Sequence, residues 1–306
     1  LDLEKAASRL HEIHGQVSIC NFSGSGIETT FTQGEDQCLA TLVSQLREDS
    51  APNLIVLGAL PDVVEGQMKA ILAQMGVPQV HVLPSAHHDD DIWVGPNTSF
   101  ILAQPFLTDA WQMMKRRGAR HVEAGFPFGA EGSYRWFRAV CGALGLDLEQ
   151  FEKAVAKPYA RAKDALSRIK PELEGKSIFF MPDSQLEGPL ARFLHEELGM
   201  NPLEVGMPYV TPGIHGTDLD ALPDDCLISE GQDVDLQLAR VRQNRPDITV
   251  CGLGLANPLE AEGLTTKWAI ELVFTPVHFF EQAADLASLF ARPIRRSNVL
   301  QMDAAE

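Results

Sequence analysis

The feature that most constrains the fold is a repeated order of strand-length apolar runs and amphipathic stretches. Leu54–Leu60 is apolar almost throughout, Pro61 and Asp62 follow as helix-start residues, and Val63–Met75 has apolar residues at helical spacing. A run that is apolar at nearly every position is typical of a strand covered on both faces. The order recurs, with predicted strands at Val80–Leu83, Phe100–Ala103 and His121–Ala124 and predicted helices at Cys38–Leu46, Leu107–Arg117 and Ala130–Leu144.

A second block repeats this order, with predicted strands at Ser177–Met181, Cys226–Ser229 and Ile248–Gly252 and predicted helices at Gln185–Leu198, Asp233–Asn244 and Phe279–Phe290. Strands that alternate with helices predict parallel sheets joined by right-handed crossovers, so the fold class is α/β with Rossmann-like parallel-sheet domains. Between the blocks, Leu148–Arg168 is charged and helical in pattern, and Pro158 is expected to kink or break that helix. The predicted divisions are a partial first domain at 1–47 that lacks its N-terminal part, a second domain at 48–150, a linker helix at 151–169, a third domain at 170–262, and a segment at 263–306 that returns to the first.

The charge balance excludes some classes of partner. The sequence has 25 Lys and Arg against 42 Asp and Glu, a formal net charge of −17. A nucleic-acid surface needs a basic footprint, and an anionic membrane surface attracts basic segments, so neither partner is expected. No apolar run approaches the roughly 20 residues of a transmembrane helix, so membrane insertion is not expected either.

The cysteines indicate a reducing, cytoplasmic location. All five are scattered, and no two are close enough to form a CxxC unit: Cys20, Cys38, Cys141, Cys226 and Cys251. Such a set predicts mostly buried thiols rather than disulfides. Because a metal site needs clustered ligands, no self-contained zinc or iron–sulfur site is expected within the chain.

A first glycine-rich loop, Ser23–Gly34, follows a short apolar run and precedes a predicted helix. Thr29 stands where a dinucleotide fingerprint has its third glycine, and no lysine follows Gly34 as a P-loop requires. Phosphate binding is therefore not expected. The loop is either an ordinary glycine-rich turn or the wall of a ligand cavity at the carboxyl end of a strand.

A second glycine-rich loop, Gly252–Gly263, also follows a predicted strand. Its GxGxxN pattern departs from the dinucleotide fingerprint, and Pro258 is expected to prevent a helix directly after the strand. The apolar stretch Trp268–Phe280 next to it contains four aromatic residues, which would either pack in the core or wall an apolar pocket. We expect the two glycine-rich loops to face one cavity.

Four stretches of the chain resemble a single family. They are SGSGIETTFTQGED (Ser23–Asp36), AQPFLTD (Ala103–Asp109), FPFGAEGSYRWF (Phe126–Phe137) and the long stretch Gly252–Arg296. They are similar, in order and over nearly the whole chain, to the N subunits of light-independent (dark-operative) protochlorophyllide reductases, which themselves resemble the nitrogenase molybdenum–iron protein. The resemblance implies a nitrogenase-like fold with two complete α/β domains and part of a third.

The resemblance also implies an activity and partners. The family's complex is an ATP-dependent, ferredoxin-linked reductase that reduces the D-ring C17=C18 double bond of protochlorophyllide to give chlorophyllide a in (bacterio)chlorophyll biosynthesis. The N subunit would form an N2B2 heterotetramer with a B subunit. A separate, transiently bound L subunit, which resembles the nitrogenase iron protein, would bind ATP-Mg and deliver electrons.

A [4Fe–4S] cluster at the N–B interface is implied as the cofactor. In the family, three cysteines of the N subunit and an aspartate of the B subunit hold it. None of the five cysteines here falls in those motifs, and the chain begins at Leu1 rather than at a methionine. We therefore expect the cluster ligands in an N-terminal segment missing from this chain and on the partner subunit, and no metal ligand within this chain.

The expected contacts to the tetrapyrrole come from the two glycine-rich loops and the stretch that follows the second. They are Ser25, Thr29, Thr30, Phe31, Leu255, Leu264, Thr265, Trp268 and Phe279. For each of them, packing in the core is the alternative. No residue is assigned a catalytic role, because the family's proposed proton donors are an aspartate of the B subunit and a propionate of the substrate. His278 and Glu28 are the ionisable groups nearest in sequence to the expected pocket.

Three other functions remain open at this point. A subunit of chlorophyllide reductase or of a nitrogenase-type scaffold would share the fold but differ in substrate. A two-lobed α/β ligand-binding protein is a second alternative, from a different class. A dinucleotide-dependent enzyme is a third, weakened by both departures from the glycine fingerprint.

Overall fold

The computed structural model describes residues 2–17, 19–21, 30, 32–85 and 91–303, although not the side chains of 299–303. In these ranges the helices are α1 (Leu3–Ile13), α2 (Thr32–Gln45), α3 (Asp62–Gln74), α4 (Thr108–Arg116), α5 (Gly129–Leu144), α6 (Leu148–Leu173), α7 (Glu187–Leu198), α8 (Pro212–Leu219), α9 (Val234–Asn244), α10 (Leu253–Ala261), α11 (Ala269–Phe274) and α12 (Ala283–Asp303). A 3-10 helix at Phe280–Gln282 precedes α12.

The strands are β1 (Arg47–Glu48), β2 (Asn53–Leu57), β3 (Val80–Leu83), β4 (Trp93–Val94), β5 (Thr98–Leu102), β6 (Arg120–His121), β7 (Ser177–Phe180), β8 (Asn201–Met207), β9 (Leu227–Glu230), β10 (Ile248–Cys251) and β11 (Thr266–Trp268). They form two main sheets. The first has the order β3-β2-β5-β6 and the second the order β11-β10-β7-β8-β9, while β1 pairs with β4 alone. All these pairings are parallel, so the predicted α/β class is confirmed.

Both main sheets are covered on both faces, as their apolar strands predict. In β2, Leu54 and Val56 pack into the largest core, whereas Ile55 and Leu57 pack into a second core on the other face. This division follows from the two-residue period of a strand. In β7, Phe180 faces the largest core and Phe179 faces a third core under α9 and α10. Burying each such side chain contributes roughly 1.5–3 kcal/mol.

Helix α6 connects the two blocks and packs against α3, α5, α7 and α12. Its 26 residues include Pro158. The sequence pattern allowed either a kink or a break at this proline, and the helix does not break there. Buried side chains on both sides of the proline, such as Phe151 and Leu166, fix the helix against the core. This packing outweighs the loss of one backbone hydrogen bond.

Several other elements depart from the sequence-based expectation. Helix α10 begins directly after β10 and contains Pro258, so the prediction that this proline prevents an immediate helix is wrong. Strands β8 and β11 and helix α8 were not expected from the pattern, because β8 mixes polar and apolar residues and β11 has three residues. Strand β11 pairs with β10 at the edge of the second sheet.

Candidate functional site

The strand orders place a crevice at the carboxyl end of each sheet. In the first sheet, β2 has β3 on one side and β5 on the other; in the second, β7 lies between β8 and β10. Ligands of open parallel sheets bind outside the carboxyl ends of the strands at such switch points. We call residues 58–61 and 103–107 the first edge, and residues 181–187 and 252–255 the second edge.

The first edge is tightly fixed by hydrogen bonds. Gly58 has a φ of +129°, and a Cβ there would lie 2.8 Å from the Gln104 side chain, so the close approach requires glycine. Gln104 Nε2 donates to the Ala59 carbonyl (3.0 Å), and the Ala59 N–H donates to Glu35 Oε1 (3.0 Å). These bonds tie the first edge to helix α2.

Asp36 lies two residues after the first glycine-rich loop and binds α4, the helix that follows the first edge. Its carboxylate is 2 % exposed and accepts the backbone N–H groups of Asp109 and Ala110, in the first turn of α4, each at 2.8 Å. Burial raises the pKa of Asp36 to about 6, against the opposing effect of these bonds. Beside it, the hydroxyl groups of Thr30 and Thr32 lie 2.8 Å apart.

The second edge contains two carboxyl groups on one turn. Glu187 is buried, and its Oε1 accepts the N–H groups of Asp183 (2.9 Å) and Ser184 (2.7 Å). Its Oε2 has no hydrogen-bond partner among the described residues. Burial raises the pKa of Glu187 to about 7, and the nearby Asp183 adds to the shift.

The same turn is strained and faces the second glycine-rich loop. Gln185 has a φ of +71°, a left-handed conformation that costs free energy in a residue with a side chain. Its amide Nε2 donates to the Tyr209 carbonyl (2.8 Å). A Cβ on Gly252 would lie 3.5 Å from Asp183 Oδ1, so the Asp183 carboxyl borders that loop.

A line of hydrogen bonds, which we call the junction, joins the first edge to residues 209–215, which follow β8. The Tyr209 hydroxyl donates to the Phe106 carbonyl (3.3 Å). The Thr211 N–H donates to His215 Nδ1 (2.9 Å), so the 2.8 Å contact of Nε2 with the Pro105 carbonyl is one in which Nε2 donates. Since Gln185 on the second edge binds the Tyr209 carbonyl, the junction links the two edges through residues 209–215.

A buried arginine, Arg192, makes further hydrogen bonds beside the junction. Arg192 Nε donates to Asp218 Oδ1 (2.8 Å), and its other nitrogens donate to the carbonyls of Phe128 (3.2 Å) and Phe126 (2.7 Å). A second carboxylate, Glu197, lies 3.6 Å from Arg192 Nη1. Burial raises the pKa of Glu197 to about 7, whereas Arg192 lowers it. This network connects α7 and α8 to the chain that follows β6.

Three of the predicted ring contacts line one cavity. Leu264, Thr265 and Trp268 belong to a cavity of about 470 Å³ between β11 and α12, which Lys267 and Arg292 also line. Trp268 is 43 % exposed, so its ring is available to a ligand. The cavity lies beside the edge strand of the second sheet.

The other predicted contacts are separated from this cavity. Thr30 is buried with its hydroxyl 2.8 Å from that of Thr32, and Leu255 is half-buried on the second edge. Phe279 is 1 % exposed and packs against Trp136 and Phe137, so the structure places it in the core. Ser25, Thr29 and Phe31 lie outside the described residues, and all these contacts stay predictions.

His278 is a neutral, buried side chain. Its ring packs edge-on against Phe128, with the two ring centroids 5.0 Å apart. Burial lowers the pKa of His278 to about 4, although the Ala103 backbone acts in the opposite direction. At neutral pH the ring therefore carries no positive charge. Glu28 lies outside the described residues.

The described side chains do not fit an iron–sulfur cluster. Thiolates are the required ligands, but burial raises the pKa of Cys226 to about 11 and of Cys251 to about 12. Cys20 is exposed and Cys141 is buried. Across the described ranges, no group of three or more His, Cys, Asp or Glu side chains could hold a metal ion. Nor does any helix in those ranges have the length and apolar character needed to cross a membrane.

Sequence reasoning missed the groups that shape the second edge. Asp183 lies just before the predicted helix Gln185–Leu198 and Glu187 lies within it, and neither was assigned a role. A signal was present: Asp183 comes directly after a buried strand, where carboxyl ends of parallel strands meet. Arg192 had no such signal, because only its tertiary neighbours distinguish it from a surface arginine.

Comparison with known proteins then identifies the family. The model for nitrogenase component 1 type oxidoreductases matches residues 1–294. The chain belongs to this family. As a member, it is an oxidoreductase subunit, and its α/β architecture agrees with a solved nitrogenase structure, Nitrogenase Cp1 at pH 6.5. That structure has a TM-score of 0.72 at 13% identity, over 97% of this chain and 72% of the other.

Several relatives in this oxidoreductase family are much more similar in sequence. The light-independent protochlorophyllide reductase subunit N of Roseobacter denitrificans is 58% identical over 100% of this chain and 72% of its own length. The proteins of the same name from Jannaschia sp. and Rhodospirillum rubrum are 57% and 52% identical, over 72% and 70% of their lengths. The resemblance stated from the sequence motifs is therefore confirmed.

Proposed function

We propose that the chain is the N-type subunit of a light-independent protochlorophyllide reductase. The complex would add two electrons and two protons to the D-ring C17=C18 double bond of protochlorophyllide and release chlorophyllide a. The observation that supports this most strongly is the identity of 52–58% with subunits of that name, which extends over 99–100% of the chain in Roseobacter, Jannaschia and Rhodospirillum.

The cavity of about 470 Å³ beside β11 suits a ligand with large apolar parts. Leu264 and Trp268 line it together with polar side chains such as Thr265. Apolar walls with a few polar groups are typical of ligand sites. The role of this chain is therefore to bind and orient the ring.

The proposed contacts are those predicted from the sequence. Leu264, Thr265 and Trp268 are supported by their shared cavity, and Leu255 by its position on the second edge. Thr30 is proposed from the resemblance. We retain Ser25, Thr29 and Phe31 on the strength of the resemblance alone. Phe279 would act through the packing of the core, because its ring is covered.

The cofactor and the partners are also proposals. Iron–sulfur chemistry is consistent with membership of this oxidoreductase family, but the described residues do not fit a cluster. We propose that a [4Fe–4S] cluster is held by other residues at an interface with a B subunit, in an N2B2 heterotetramer. A separate L subunit with ATP-Mg would supply electrons. A cytoplasmic location and the domain divisions at residues 47, 150, 169 and 262 belong to the same proposal.

The test is an assay of the assembled complex. The full-length subunit is combined with the B and L subunits, Mg-ATP and a reductant, and is offered protochlorophyllide or chlorophyllide in separate reactions. We expect an ATP-dependent conversion of protochlorophyllide to chlorophyllide a, followed by absorbance and by chromatography of the pigments. Conversion of chlorophyllide alone would instead assign the chain to a chlorophyllide reductase. If neither pigment reacted, the proposal would be wrong.

A further inference from the structure

The cavity of about 470 Å³ beside β11 has an excess of positive charge in its walls. Among the described residues, three cationic side chains and two carboxylates line it: Lys267, Arg292 and Arg296 against Glu260 and Glu271. The chain as a whole has a formal net charge of −17, so the cavity differs in sign from the rest of the molecule. A concave site lined by an excess of one charge concentrates ligands of the opposite charge.

The excess charge lies around Glu271. Arg296 is balanced by Glu260, at an Nη2–Oε2 distance of 2.8 Å. Glu271 lies between two cations instead: Lys267 Nζ donates to its Oε2, and Arg292 Nη1 lies 3.9 Å from its Oε1. The Arg292 guanidinium makes no hydrogen bond among the described residues, so its N–H groups are free to bind a ligand. One carboxylate therefore serves two cations.

Lys267 is buried although it carries an ammonium group. Its side chain is 5 % exposed, and burial lowers its pKa, while Glu271 acts in the opposite direction and Arg292 adds to the lowering. A buried charge is costly unless it is paired and hydrogen-bonded, and an ammonium group has three N–H donors. Among the described residues, Nζ donates only to Glu271. A second carboxylate near Lys267 and Arg292 would therefore stabilise both cations.

An apolar wall of the same cavity adjoins this charged group. Trp268 follows Lys267 directly in the chain, and Leu264 also lines the cavity. Trp268 is 43 % exposed and the Arg292 side chain 66 %, so the cavity opens to solvent and a ligand can enter it. The walls thus suit a molecule with an apolar body and one carboxylate.

We propose that Lys267 and Arg292 bind the carboxylate of the ligand whose apolar body lies against Trp268 and Leu264. The inference rests on the proposed function, under which the ligand is protochlorophyllide and its free carboxyl group is the propionate. The two cations thus select the free acid over an esterified pigment. A carboxylate held by two cations stays ionised at neutral pH, so in this site the propionate orients the ring and does not donate a proton.

A purely structural role for the two cations gives a different expectation. Lys267 and Arg292 would then hold Glu271 between β11 and α12, and their removal would weaken the binding of every ligand of the cavity equally. Lys267→Met keeps an unbranched apolar stem, and Arg292→Gln keeps a polar group at an exposed position. Arg295→Gln is the matched control, because Arg295 lies on the same helix, binds Glu172 at 2.5 and 2.6 Å and does not line the cavity.

The experiment is a binding titration of the assembled full-length complex, followed by pigment fluorescence without ATP or reductant. Protochlorophyllide and its methyl ester are compared on the wild type, on Arg295→Gln and on the double variant Lys267→Met/Arg292→Gln. We expect the wild type and Arg295→Gln to bind the acid roughly tenfold more tightly than the ester, because a hydrogen bond to a charged group contributes about that factor. The double variant should bind acid and ester equally, and its affinity for the ester should equal that of the wild type.

Two results would overturn the carboxylate site. The first is a wild-type complex that binds acid and ester with equal affinity; if that ester were bound but not reduced, the propionate would be a proton donor instead. The second is a double variant that loses affinity for both pigments by the same factor, as a structural role requires. A complex that prefers the acid but reduces neither pigment when ATP and electrons are supplied would contradict the proposed function and leave the carboxylate site in place.

Discussion

The buried carboxyl groups at the two edges differ in how their oxygens are bound. In α2, next to the first edge, both oxygens of Asp36 accept backbone N–H groups of α4, and Glu35 accepts the N–H of Ala59. On the second edge, one oxygen of Glu187 is left without a partner, and the Asp183 side chain has none among the described residues. Both edges stand at switch points of parallel sheets.

This difference shows that a buried carboxyl group can have a structural role or a chemical one. A carboxylate whose oxygens are both bound to the backbone stabilises the turn that it caps and has little freedom to exchange a proton. A carboxyl group with an unbound, buried oxygen destabilises the folded state when it ionises, so it persists where another role compensates. The first edge therefore fixes geometry, and the second retains a group that can hold a proton.

The largest effect on the free energy of unfolding is expected from Arg192, the buried arginine beside the junction. Arg192→Met removes the cation from Asp218 and Glu197 and leaves two carboxylates buried without it. Breaking a buried ion pair in this way costs about 3–5 kcal/mol. Chemical denaturation should show this loss in the free energy of unfolding. Arg135→Met, at an exposed ion pair with Glu196, should cost less than about 1 kcal/mol. Equal losses in the two variants would show that the junction is no stronger than a surface pair.

The two edges are compared directly by truncating Asp36, next to the first edge, and Asp183, on the second. Asp36→Ala leaves two N–H groups of α4 without an acceptor, so we expect a loss of about 2–4 kcal/mol. Asp183→Ala removes a side chain without a protein partner, and the loss should stay below about 1 kcal/mol. Denaturation of both variants under one set of conditions measures the contrast. A loss in Asp183→Ala as large as that in Asp36→Ala would remove the distinction between the edges.

The dependence of stability on pH tests the ionisation of the second edge. The folded-state pKa of Glu187 is about 7, above its ordinary value of 4.5, so the folded chain holds this proton more tightly than the unfolded chain. Stability from this group is full below pH 4.5 and is lost as the pH rises through 7. The change is about 3 kcal/mol at most.

Glu187→Gln should remove the part of the pH dependence of stability that comes from this group. Asp36 and Glu197 also have raised pKa values, about 6 and about 7, so a smaller slope of the same sign will remain. Denaturation midpoints at a series of pH values between 4.5 and 8 provide the measurement. A slope that is equal in the wild type and in Glu187→Gln would mean that Glu187 ionises normally in the folded state.

The sequence predicts the sheets better than it predicts the site, for a physical reason. Strands such as β2 and β7 are defined by local apolar patterns, and their burial on both faces follows from that pattern. Strand β11 owes its place to pairing with β10, and α10 survives Pro258 because Ala256 and Leu259 pack in the core. Such tertiary effects leave no periodic trace in the sequence.

The site was predictable only in part, because unsatisfied groups cannot be recognised in a sequence. The second glycine-rich loop follows β10 as predicted, and Asp183 lies three residues after the end of β7. Whether a carboxyl group there has partners depends on backbone N–H groups and side chains that only the fold brings near. The same dependence explains why Phe279, which is as apolar as Trp268, lies in the core while Trp268 borders a cavity.

The smallest effect on stability is expected from Trp268, on the edge strand of the second sheet. Its side chain is 43 % exposed beside the cavity of about 470 Å³, so Trp268→Ala should cost less than about 1 kcal/mol of folding free energy. Phe279→Ala removes a fully covered ring and should cost about 3–5 kcal/mol. If Trp268 contacts the ligand, its variant will fold normally yet bind protochlorophyllide more weakly, which fluorescence titration of the assembled complex measures. Normal affinity in a folded Trp268→Ala complex would remove this cavity from the binding site.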